Sequence, residues 1–313
     1  MSKSVRIVIP YFGRWPAWFP VYLQSCRWNP CLEIVLITDC AEPTNVPENV
    51  RMVRSSLEEM NGRIKERLGL SLRLMHPYKL CDFKPAYGLL FEDMLDGADY
   101  WGFGDIDVFY GRLDDYLDPV KKGIVDIFCI RKEYVSGAFT LIRNTQEGRT
   151  LFQRSPDWKR AFLAENYVCF DECGFAWDAL REGKSIWEAK TDIVSFTQVV
   201  FESLREGQVD GHFESAELCI LPGRVKVSAR GIVADRTRYL LLHLNHCKNR
   251  WCFAVPKWRI VPEEFIVSNF GLFMSQHESI LSQIIYRNWP ETMRRVVRRI
   301  AVTPFKSRHR RTR

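Results

Sequence analysis

The chain lacks any run of 18 apolar residues, so no transmembrane helix is expected. It also lacks the shape of a signal peptide at its start. The apolar run in "MSKSVRIVIPYFGRWP" is short, and Pro10 and Gly13 follow where a small-residue cleavage site would stand. The expected location is therefore cytoplasmic. The ten cysteines show no common zinc pattern, since Cys169-x3-Cys173 and Cys247-x4-Cys252 fit none. In a cytosolic chain they read as small core residues. No internal repeat and no low-complexity linker is present. No Gly-rich, Lys/Arg-bearing loop follows the first apolar run; "PYFGRWPAWFP" stands there instead, which weighs against a nucleotidyltransferase-type phosphate loop.

What is present is a large apolar and aromatic complement. Of 313 residues 46% are hydrophobic, with 10 Trp, 20 Phe and 11 Tyr, enough to bury one large core or two small ones. The formal charge is +7, but residues 287–313 alone hold ten Lys/Arg and one Glu. The body is thus close to neutral and the tail strongly basic. In the tail Met293, Val296, Val297 and Ile300 recur at helical spacing, with Arg294, Arg295, Arg298 and Arg299 between them. That pattern is an amphipathic basic helix suited to an anionic membrane surface. The same stripe could equally pack on the main domain, and a basic tail attracts any polyanion. The reading favoured is peripheral contact with the inner membrane surface, with no nucleic-acid partner.

The order of elements starts strand, helix, strand. "VRIVIP" (Val5 to Pro10) and "LEIVLITD" (Leu32 to Asp39) are β-branched runs. The segment between them suits a helix with Pro16 near its start. That order predicts a parallel α/β sheet. "SSLEEMNGRIKERLGL" predicts a polar helix capped by Ser55 or Ser56. "KPAYGLLFEDML" reads as a helix with Pro85 near its start, and "ADYWGFGD" as a strand. "VDIFCI" and "GAFTLIRN" are strands; "TQEGRTLFQRS" and "DWKRAFLAENY" are helices. "DECGFAWDALREG" is a helix with Asp171 and Glu172 at its start and Gly183 past its end. "RYLLLHL" is a late strand.

Within "YWGFGDIDVFYG" two carboxylates, Asp105 and Asp107, interrupt an aromatic run. At i and i+2 of an extended segment they project to one side, repel each other, and call for an opposite charge. A hard divalent cation such as Mg²⁺ or Mn²⁺ meets that need and also bridges to phosphates. In open α/β sheets, ligands collect at the carboxyl ends of the strands, where this pair falls. The plain alternative is a loop with two solvated acids.

"PYKLCDFKPAYGLLFEDMLDGADYWGFGDIDVFYG" resembles the GT-A class of nucleotide-sugar glycosyltransferases, and more closely a group of bacterial polysaccharide-biosynthesis glycosyltransferase-like proteins of uncharacterised function. The resemblance runs from about residue 5 to residue 255. It implies a Rossmann-like mixed sheet flanked by helices over residues 1–260; the tail pattern above adds a helical basic extension over 261–313. It implies a nucleotide-diphosphate sugar donor, with UDP as the expected nucleotide, and a glycan or lipid-linked acceptor. Residue by residue, it places Tyr11 against the base and Asp39 on base or ribose. Lys84 faces the nucleotide, with Asp82 beside it. Asp105 and Asp107 take ribose and metal. "LLLHLNHCKNRW" then matches the His-x-x-x-x-Lys arrangement, with His243 as third metal ligand and Lys248 on the diphosphate; His246 competes with His243. An imidazole beside two carboxylates shifts the preference slightly toward Mn²⁺.

For chemistry, a metal and a lysine stabilise the leaving diphosphate. The resemblance assigns Asp171 or Glu172 as base or sugar-positioning group, against the alternative of simple helix capping. A helix N-terminus would lower their pKa values. Gly137, in "YVSGAFTLIRN", would allow close approach of substrate, against a core strand with a bulge glycine. Two other function classes stay open here: a metal-dependent nucleotidyltransferase, and a non-catalytic carbohydrate- or partner-binding relative.

Overall fold

The computed structural model describes residues 3–221 and 223–274. Its strands are Val5–Pro10 (β1), Leu32–Thr38 (β2), Val50–Arg54 (β3), Tyr100–Gly104 (β4), Val108–Tyr110 (β5), Ile127–Cys129 (β6), Phe139–Arg143 (β7) and Gly211–Phe213 (β8). Then follow Glu217–Leu218 (β9), Val225–Ser228 (β10), Gly231–Ala234 (β11), Thr237–Tyr239 (β12), Leu241–His243 (β13), Glu264–Ser268 (β14) and Gly271–Phe273 (β15). The helices Phe19–Arg27 (α1) and Leu57–Leu68 (α2) complete the opening βαββα segment.

β1, β2 and β4 are apolar along almost their whole length because they are covered on both faces. They form the centre of a seven-stranded sheet, ordered β3-β2-β1-β4-β7-β6-β8. All strands run the same way except β7, which pairs antiparallel with both β4 and β6. Successive residues of β4 feed opposite cores. Tyr100 packs with Phe19 and Tyr22 of α1, while Trp101 and Phe103 pack with Met60 and Ile64 of α2. The result is a mixed sheet flanked by helices, as the sequence leads one to expect. α2 starts on a reciprocal cap: the Glu59 N–H donates to Ser56 Oγ at 3.2 Å and the Ser56 N–H to Glu59 Oε2 at 2.8 Å.

Two smaller sheets complete the fold. β5, β13 and β9 form a three-stranded sheet in which His243 of β13 lies opposite Val108 of β5. β12-β11-β10-β14-β15 form an antiparallel sheet with its own core around Val225, Val227, Phe265 and Val267. Gly111 marks the crossing between these sheets. A Cβ there would lie 2.5 Å from the Tyr239 carbonyl oxygen, so only glycine fits.

The structure corrects several expectations. The segment after residue 260 does not open as a helix: β14 and β15 lie there, and β14 pairs with β10. A boundary at 260 would cut through this sheet. The amphipathic stretch Met293 to Ile300 and the rest of the basic tail lie outside the described residues. Pro77–Ala86 is a 3₁₀ segment with Pro85 inside it, followed by one α-turn at Tyr87–Leu90, where a longer helix was expected. Proline removes an N–H donor and clashes with a regular α-helix, which accounts for the tighter turn. The helix expected from Asp171 is only Trp177–Arg181. Gly174 (φ 60°) and Phe175 (φ 64°) are left-handed and break it before the acids. Among the described residues, no helix is long and apolar enough to cross a membrane.

Candidate functional site

The fold brings together three of the expected residues from two places in the chain. Asp105 and Asp107 lie in the bend between β4 and β5, not on a continuous strand. β13 runs back beside β5, and the Leu244 N–H donates to the Asp107 carbonyl at 2.8 Å. This fixes His243 against Asp107. One ligand atom each from Asp105, Asp107 and His243 lie within 4.8 Å of one another. His246, the competing imidazole, is exposed on the following turn and outside this group.

The charges around Asp107 are closely matched. His243 Nε2 lies 3.4 Å from Asp107 Oδ2, and the Lys248 ammonium contacts the same oxygen. His243 Nδ1 lies 2.8 Å from Glu217 Oε1, and Arg131 Nε donates to Glu217 Oε2 at 2.7 Å. Burial opposes every charge here, but the partners outweigh it. Burial pushes the Asp107 carboxyl up, yet His243 and Lys248 hold it well below the usual range. Glu217 falls to about 2 despite burial, through His243 and Arg131. Burial disfavours the His243 cation, yet Asp107 and Glu217 hold its pKa well above the ordinary value.

Two carboxylates and an imidazole are a donor set suited to a divalent cation. The Glu217 contact adds a second reason. It occupies Nδ1, leaves Nε2 facing the acids, and is the carboxylate–histidine support that metal-binding imidazoles use. The residues present therefore fit a divalent ion held by Asp105, Asp107 and His243.

Beside this group lies a second, deeper one. Lys84 Nζ donates to Asp105 Oδ1 at 2.7 Å and to the Gly137 carbonyl at 2.9 Å, and lies 3.7 Å from Asp171 Oδ2. The Gly137 N–H donates to Glu172 Oε1 at 2.8 Å. A Cβ at Gly137 would meet Asp171 Oδ2 at 2.7 Å and Lys84 Nζ at 3.1 Å. So Gly137 lies just before β7 as the meeting point of three charged side chains, and not as a strand bulge. Asp171 and Glu172 precede their helix by several residues, so no helix end lowers their pKa values. Burial raises both, Asp171 the more strongly. The opposite direction was expected, and the left-handed Gly174 and Phe175 are the reason.

Tyr11 and Asp39 stand at the carboxyl ends of β1 and β2. Asp39 Oδ1 accepts the Gly13 N–H at 2.7 Å, and the Tyr11 hydroxyl donates to the Arg14 carbonyl at 2.9 Å. The Tyr11 ring stacks on Trp15 at 5.2 Å, and Trp15 on Phe19 at 3.8 Å. Burial raises the Tyr11 pKa, with Cys40 and Asp107 adding to it. The ion-pair partner of Asp82 is Lys79, at 2.8 Å, not Lys84. Asp82 also accepts the N–H groups of Val168 and Phe170. Glu217 and Arg131 were missed by sequence reasoning. Glu217 sits in a two-residue strand without any local pattern, so only the pairing of β9 with β13 reveals it.

Solved structures similar to this chain include glycosyltransferases. The galactosyltransferase LgtC, in complex with donor and acceptor sugar analogues, shares 10% identity over 69% of this chain and 76% of its own, at a TM-score of 0.36. Mouse xyloside xylosyltransferase 1 in its apo form shares 7% over 80% and 100%, at 0.37. The glycosyltransferase GlyE of Streptococcus pneumoniae TIGR4 shares 11% over 71% and 69%, at 0.26. Superpositions this loose transfer no residue roles. No curated protein matches the chain. The model of a family described as a family of unknown function, DUF6625, matches residues 7–253. That match spans β1 through β13 and includes Asp105, Asp107, Lys84, Glu217 and His243, so the chain belongs to the DUF6625 family.

Proposed function

We propose that this chain is a metal-dependent glycosyltransferase that moves a sugar from a nucleoside diphosphate sugar to a hydroxyl acceptor. The observation that carries the reading is the convergence of Asp105, Asp107 and His243 at the carboxyl end of β4, supported by Glu217 and flanked by Lys84 and Lys248. When bound, a divalent ion would supply charge stabilisation to the diphosphate leaving group. Lys248 supports the same role as a point charge, being part-exposed beside Asp107. Tyr11 and Asp39, at the neighbouring strand ends, are assigned to the nucleoside.

Asp171 and Glu172 are assigned to the acceptor side. Their burial makes two negative charges at once unfavourable. One ionised carboxylate beside Lys84 can take the acceptor proton. The sequence resemblance supports a hydroxyl of a bacterial glycan or glycolipid as acceptor.

The test is calorimetric titration of the full-length protein with UDP, GDP, ADP and CDP, each with Mn²⁺ and with EDTA. The expected result is binding of one diphosphate with Mn²⁺ and its loss in EDTA. Binding unchanged by EDTA, or no binding of any of the four by folded protein, overturns the reading.

A further inference from the structure

Large aromatic side chains are costly to leave in water, and an exposed cluster of them marks a contact surface. Next to the deep acid pair, four such side chains form a continuous row. Tyr78 lies 4.9 Å from Tyr167, Tyr167 lies 5.6 Å from Phe175, and Phe175 lies 5.5 Å from Trp177, each edge to face. Tyr78 is 58% exposed and Phe175 53%. The row is bonded to the acids: the Tyr167 hydroxyl donates to Asp171 Oδ1 at 2.9 Å, and Trp177 Nε1 donates to Glu172 Oε2 at 2.8 Å.

The backbone holds this row in place at a cost. Phe175 adopts φ 64°, a conformation that is a real outlier for a bulky residue. The Phe175 ring stays half-exposed, packed edge to face between Tyr167 and Trp177. The segment is fastened from below. Asp82 accepts the Val168 and Phe170 N–H groups, the Phe196 N–H donates to the Phe170 carbonyl at 2.8 Å, and the Thr197 N–H to the Glu172 carbonyl at 3.1 Å. The row therefore lies against the acid pair, through Tyr167 on Asp171 and Trp177 on Glu172.

We propose that Tyr78, Tyr167, Phe175 and Trp177 form the subsite for a neutral sugar ring of the hydroxyl acceptor, an inference that rests on the glycosyltransferase reading. A pyranose presents C–H groups to an aromatic face and hydroxyl donors at its rim. This row offers aromatic surface and carboxylates side by side, the mixture a small polar ligand requires. A lipid tail would bring no hydrogen-bonding groups to the polar side of the row. An anionic sugar or a phosphate would be repelled by the one ionised carboxylate of the acid pair.

The test applies fluorescently labelled full-length protein, with Mn²⁺ and UDP present, to an array of glycans ending in neutral hexoses, N-acetylhexosamines, uronic acids or sialic acids. The expected result is retention on a set sharing one neutral terminal sugar. Phe175→Gly, which also relieves the backbone strain, and Tyr78→Ala should each lower that retention about tenfold or more. Phe175→Trp should preserve it, and diphosphate titration should be unchanged in all three. Failure of the wild type to hold any neutral glycan, or undiminished retention by Phe175→Gly and Tyr78→Ala, overturns the proposal. Failure of the diphosphate titration with glycan retention intact would instead remove the metal-dependent reading and leave the sugar subsite standing.

Discussion

Lys79 and Lys84 sit five residues apart on the same 3₁₀ segment, and both are buried. Their surroundings differ in kind. Lys79 uses all three of its donors inside the protein, on Asp82 and on the carbonyls of Ala161 and Asn166, at 2.7 to 2.9 Å. Asp82 in turn receives two backbone N–H groups. This is a closed ion pair whose effect is to tie the segment leading to Asp171 onto the 3₁₀ turn. Lys84 instead joins Asp105, Gly137 and Asp171, and the Asp105 side chain is 28% exposed. The same residue type, equally buried, serves architecture in one place and an open acidic site in the other. Burial alone does not separate the two; the completeness of each lysine's partners does.

The comparison breaks most sharply at the closed pair. Asp82→Ala leaves the Lys79 charge buried without its counter-ion, and should cost about 3–5 kcal/mol in denaturant unfolding. A loss under about 1 kcal/mol would show that the pair is not structural. Lys84→Met should lower stability by only about 1–2 kcal/mol, since Asp105 can regain water, while removing metal-dependent diphosphate binding. Equal stability losses for the two lysine-pair variants would erase the distinction. Glu217→Gln removes the carboxylate that orients His243, and should weaken Mn²⁺ binding roughly 10–100-fold with the fold retained. At the small end, His246→Ala should change neither Mn²⁺ binding nor stability beyond about 0.5 kcal/mol. A loss of metal binding in that variant would reassign the imidazole ligand.

Much of the central sheet was legible in the sequence. β1, β2 and β4 are continuous apolar runs because both faces are covered, and such runs announce themselves. The cap of α2 was legible as far as Ser55 or Ser56; the structure places it on Ser56. β10, β11, β14 and β15 were not read as strands; their shared core forms only when β10 and β14 pair across distant segments. The helix assigned from Asp171 failed on two left-handed residues, and Phe175 gives no warning of a positive φ. At the site, Asp105 and Asp107 stood out as two acids at the end of an aromatic strand, whereas His243, Lys84 and Lys248 came from the glycosyltransferase resemblance. Glu217 and Arg131 act only through contacts made across distant segments, which no local pattern records.

The measurement that bears most directly on the central claim is Mn²⁺ binding to the full-length protein, read by the loss of the free-ion electron paramagnetic signal, in wild type and Asp107→Ala. The account predicts a single saturable ion on the wild type and none on a variant whose unfolding curve still shows one cooperative transition. Mn²⁺ uptake by Asp107→Ala equal to the wild type, or no uptake by the wild type, would contradict it.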